Sequence, residues 1–105
     1  MGQIVIDKIL LSINQLEEAI NTARQSIENS KLAHPELLGR LDCYTKVVAK
    51  QRLLVNELKY SSQAQDWDET RRLATLIRHS SQFIAGEMQS VIAVIRTALS
   101  ERSYY

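Results

Sequence analysis

From Ile6 onward the apolar residues recur at Ile6, Ile9, Ile13, Leu16, Ile20, Ala23 and Ile27, in alternating steps of three and four. Among regular structures only an α-helix gathers that spacing onto one face, so the rhythm predicts a long amphipathic helix with a continuous seam. Gln15, Glu17, Glu18, Asn21, Arg24 and Glu28 fall on the opposite face, while Val5, Leu10 and Leu11 widen the apolar stripe near the start. The rhythm returns at Leu37, Leu41, Tyr44, Val48, Gln51, Val55 and Leu58, flanked by Leu38, Val47 and Leu54, and again at Leu73, Ile77, Ile84, Met88, Val91, Ile95 and Leu99. Gln51 is the polar member of its seam, which predicts a side chain hydrogen-bonded inside the bundle or turned to its edge.

The breaks between these stretches carry their own signals. Pro35 ends the polar run that begins at Asn29 and suits the first position of a new helix. After Ser61-Ser62-Gln63-Ala64-Gln65, Asp66 stands where an N-cap belongs and Glu69 three residues later completes an aspartate version of the capping box. The expectation is an all-α chain, residues 1–105 as a single helical domain, with helices over about 4–30, 35–62 and 67–101. Short connections make neighbours antiparallel, giving an up-down-up bundle or an extended helical hairpin completed by dimerisation. Three glycines, one proline and six aromatic residues in 105 agree with helices rather than strands. The third helix is the longest and is expected to overhang or to bend at Gly86, and the tail from Ser100 to Tyr105 to fray.

A formal charge of +1 is too balanced for the electrostatic footprint of a general nucleic-acid binder. Lys46, Lys50, Arg52 and Lys59 make the second helix the most basic, and they read as a solvated face that pairs with the acidic first helix, the alternative being a small regulator that contacts nucleic acid through this helix and Arg71, Arg72 and Arg78. A lone cysteine, Cys43, excludes an intramolecular disulfide and suits the cytoplasm. Met1 to Ile6 lacks a basic signal-peptide start, Ile6 stands where myristoylation wants Ser or Thr, and Ile9-Leu10-Leu11 is too short to span a bilayer. A soluble, unanchored chain is expected.

No arrangement of residues here predicts an enzyme. His34 and His79 lie on different segments with no second ligand one helical turn away, so no metal site is expected. His34 reads as a capping or loop residue. His79, Ser80 and Ser81 are consecutive, and consecutive helical positions point about 100° apart, so they read as a polar surface cluster rather than a nucleophile with its base. Asp66, Asp68 and Glu69 sit at a helix N-terminus, which favours their ionised form and suits capping, not acid catalysis. Cys43, among apolar neighbours, reads as a buried, inert thiol. With no glycine-rich phosphate loop, no catalytic residue, metal or cofactor is expected.

What remains is excess apolar surface on the third helix. Phe83, Ile84, Met88, Val91, Ile92, Ile95 and Leu99, with Val94 beside them, span more than one stripe and are the expected partner contacts. Trp67, the only tryptophan, is expected to fold back over the bundle end, or else to join them as an anchor; if fully buried, its replacement by Ala would cost about 3–5 kcal/mol. The occupant of such a face is either an amphipathic helix of another protein or a second copy of the chain as a homodimer.

The stretch from Tyr44 to Gln89 contains Lys50-Gln51-Arg52, the approach from Leu58 to Ala64, the Asp66-Trp67-Asp68 turn and the helix start Glu69-Thr70-Arg71-Arg72-Leu73. It resembles flagellar export chaperones of the FliT and FlgN type, in which a small polar turn with Asp-Trp-Asp or Asp-Trp-Glu separates two long helices. That resemblance implies a cytoplasmic all-α protein that shields the helical end of a secreted subunit and presents it to a type III export gate, with the face from Phe83 to Leu99 as the client surface. Two differences accompany it. The first helix here precedes the matching region, and the chain lacks the marked acidity of those chaperones.

Overall fold

The computed structural model describes residues 3–30 and 34–102. They form three α-helices, α1 (Gln3–Asn29), α2 (Pro35–Gln63) and α3 (Trp67–Arg102), with no strand among the described residues. Each boundary falls within one residue of the position that the Pro, Asp and Ser punctuation predicts. Ion pairs fix the directions. Arg52 meets Glu17 at 3.0 Å and Arg24 meets Asp42 at 2.7 Å, so α1 and α2 run antiparallel. Arg40 meets Glu87 at 3.5 Å while Ser61 meets Thr70, so α2 and α3 do the same. The result is an up-down-up bundle in which α1 and α3 lie parallel, a rod of 60 × 21 × 18 Å.

The three-and-four rhythm is the core. Ile13, Ile20 and Ile27 from α1, Leu41, Val48, Val55 and Leu58 from α2, and Leu73, Ile84 and Val91 from α3 are all at most 2% exposed. Each such side chain contributes about 1.5–3 kcal/mol by leaving water, which is what drives these three amphipathic faces together. Gln51 sits in the same core, 1% exposed, and Tyr44 is buried with its hydroxyl accepting from Arg40 Nε at 3.0 Å.

The α2–α3 turn is built from two interlocked caps. Gln65 takes the left-handed conformation (φ 59°), Asp66 N–H donates to the Ser61 carbonyl and Gln65 N–H to that of Ser62, a Schellman closure of α2. Asp66 then caps α3 by accepting from the Glu69 backbone N–H at 3.3 Å. The reciprocal half of the capping box is not made, because the Glu69 carboxylate turns instead to Arg72, whose Nε donates to it at 2.8 Å. Just inside the turn the Ser61 and Thr70 hydroxyls meet at 2.8 Å, both buried.

Several expectations need correction. α3 runs unbroken through Gly86, the place expected for a bend, a Cβ there would meet nothing within 4 Å, and the last turns of α3 share a hollow with His34. His34 does occupy the N-cap position of α2, but its side chain makes no capping bond. The helix continues through Ser100 and Glu101 to Arg102; the rest of the expected frayed tail, and Lys31, Leu32 and Ala33 of the first break, lie outside the described residues. Finally, α3 is long and apolar enough to cross a bilayer by length and composition alone. In the bundle its Leu73, Ile77, Ile84, Met88, Val91 and Ile95 form one wall of the core.

Candidate functional site: the groove between α1 and α3

Parallel helices with short side chains at their shared margin leave a channel. On α3 that margin is Ala74, Thr75, Ser81 and Ala85, facing Val5, Ile9, Ser12 and Leu16 of α1 across a groove of about 750 Å³. A second stretch of about 550 Å³ continues it between Ala19, Thr22 and Ser26 of α1 and Ile92, Ile95 and Leu99 of α3. Gln15 lines both, so the two hollows adjoin along α1. From Val5 to Ser26 the groove follows α1 for about 30 Å, the length of a helix of about 20 residues. No antiparallel neighbour fills it.

The charges at its edge are uneven. Lys8, Arg71 and Arg78 border the first stretch, and Arg96 and Glu18 the second. Arg71 is partly matched by Asp68 at 3.2 Å, on its solvent side. Arg72, by contrast, is committed to Glu69, and this hydrogen bond holds the Glu69 carboxyl below its usual range. Arg52 of the basic α2 face is committed to Glu17 and Asn14 of α1.

The floor of the first stretch is tied to the core. Gln51 Nε2 donates to Ser80 Oγ at 2.7 Å and to Ser81 Oγ at 2.9 Å, with the Ile77 carbonyl at 3.4 Å, while its Oε1 is buried without a partner. The two serines expected as surface decoration beside His79 are therefore half-buried partners of the core glutamine; only His79 is exposed.

The expected partner contacts divide. Ile84, Met88, Val91 and Ile95 are core side chains at most 5% exposed, so the simple apolar face from Phe83 to Leu99 does not exist as a surface. Their spacing matches the seam, and a seam consumed inside the molecule looks the same in sequence as one left outside. Ile92 and Leu99 line the second stretch of the groove. Phe83 is 60% exposed but lies outside the groove, on a separate stripe with Leu76 seven residues earlier. Trp67 is 45% exposed, so its ring is not fully buried over the bundle end. Cys43 is exposed rather than buried. Among the described residues no three His, Cys, Asp or Glu side chains come together in a way that would hold a metal.

The residues of α1 that build the groove, Val5, Ile9 and Leu16, were legible only as a widened stripe, because nothing in α1 alone says which neighbour leaves them uncovered. No protein-family model, curated protein or solved structure matches the chain.

Proposed function

We infer that this chain is a non-enzymatic protein-binding module that receives an amphipathic helix of a partner in the groove between α1 and α3. The two adjoining hollows between α1 and α3 carry this reading: together they run the length of a helix, and a fourth helix running antiparallel to α1 and α3 would complete an up-down-up-down bundle. Shielding a helix in this way is the action of a cytoplasmic export chaperone of the flagellar or type III kind, and the Asp66-Trp67-Asp68 turn between two long helices supports that form of the reading. The site moves, however, from the Phe83 face to the opposite margin of α3.

The test is binding of a designed peptide of about 20 residues with an amphipathic helical pattern, followed by fluorescence anisotropy. Ala85→Trp, at an exposed position on the groove wall, should block binding without lowering the melting temperature. Leu76→Ser with Phe83→Ser, outside the groove, should leave it intact. The reverse pattern would move the site to the Leu76 and Phe83 stripe.

A second reading, self-association, rests on that stripe: Leu76 and Phe83 are 44% and 60% exposed and share a face. It requires a dimer in sedimentation that the Leu76→Ser, Phe83→Ser variant dissociates.

A further inference from the structure

The groove selects its occupant by charge as well as by shape. Its two stretches are bordered by four cations, Lys8, Arg71, Arg78 and Arg96, against one carboxylate, Glu18, although the whole chain carries only +1. Lys8 and Arg78 form no ion pair among the described residues. Between these cations the lining is mixed: Val5, Ile9 and Leu16 stand beside Ser12, Gln15 and Thr75, and Ser81, whose oxygen accepts from Gln51, adds a hydroxyl beside Arg78.

We propose, building on the helix-binding reading above, that the partner is an acidic amphipathic helix, with Asp or Glu residues flanking its apolar stripe at the end that lies over Lys8, Arg71 and Arg78. A second copy of this chain fits poorly, because two such grooves face to face would oppose cations to cations. A nucleic-acid backbone matches the charge, but most of the lining area is apolar, from Val5, Ile9, Leu16, Ala74 and Ala85, and a phosphate backbone has no side chains to bury there.

The experiment uses two designed peptides of about 20 residues with the same apolar stripe, one flanked by Glu and one by Lys. The Glu peptide should bind about tenfold more tightly at low salt, the sum of a few exposed pairs, and this advantage should shrink as salt is added. Lys8→Glu with Arg78→Glu, both at exposed positions, should reverse the preference while circular dichroism and melting stay unchanged. Equal binding of the two peptides, or a preference for Lys, overturns the charge assignment and leaves the helix-binding reading standing. Binding of neither overturns both. A duplex oligonucleotide that displaces the Glu peptide would overturn the assignment in favour of a phosphate backbone.

Discussion

Gln51 and Ser81 are joined across two helices by a 2.9 Å hydrogen bond that ties the centre of the core to the lining of the groove. The bond is made by the amide nitrogen alone; the amide oxygen is buried with no partner. A buried unpaired carbonyl costs about 1–3 kcal/mol, whereas Ser80 and Ser81 are half-buried and reach water if the amide is removed. Gln51→Leu should therefore raise stability by about 1 kcal/mol in urea denaturation. A loss of more than about 2 kcal/mol would show that the amide stabilises the core on balance.

Gly86 lies mid-helix, exposed, with open space where a Cβ would stand. Gly86→Ala should add about 0.5–1 kcal/mol, seen as a higher melting temperature, because alanine loses less backbone freedom in a helix. A lower melting temperature would mean that the backbone at this position is not helical in solution.

Trp67 is 45% exposed, so Trp67→Ala should cost less than the ~3–5 kcal/mol lost with a fully buried ring. Its fluorescence should show a solvent-exposed indole in the free protein. A blue-shifted emission with a large loss of stability would place the ring inside.

Glu69 is hydrogen-bonded by Arg72, and its carboxyl is held below the usual range. A depressed folded value makes this stabilisation present above the unfolded value and lost as pH falls through the folded one. Wild type should melt slightly higher than Glu69→Gln at pH 6, and the gap should narrow as the carboxylate is protonated on acidification. A gap that persists undiminished on acidification would show that the carboxylate charge is not its cause.

The helices were legible because period and punctuation agreed: the Ile6-to-Ile27 seam, Pro35 at its N1 position and Asp66 at its cap each fix one boundary locally. The groove was not legible for a physical reason. Whether Val5, Ile9 and Leu16 or Ile84 and Val91 end up covered depends on which helix lies beside which, and a seam reads identically from either side. Ser80 and Ser81 were misplaced likewise, since their partner Gln51 lies on another helix, about thirty residues away. Cys43 shows the converse: its apolar neighbours Leu41, Tyr44 and Val47 face inward while it faces out.

The margin between α1 and α3 is the open side of the bundle. Amide chemical-shift mapping of the labelled protein, titrated with the Glu-flanked peptide, addresses this directly. Shifts should concentrate at Ile9–Ala19 of α1 and at Ala74–Ala85 and Ile92–Leu99 of α3, with Leu53 and Tyr60 on α2 unmoved. Shifts centred on Leu53, Tyr60, Leu76 and Phe83 instead, with the α1 resonances unchanged, would contradict it.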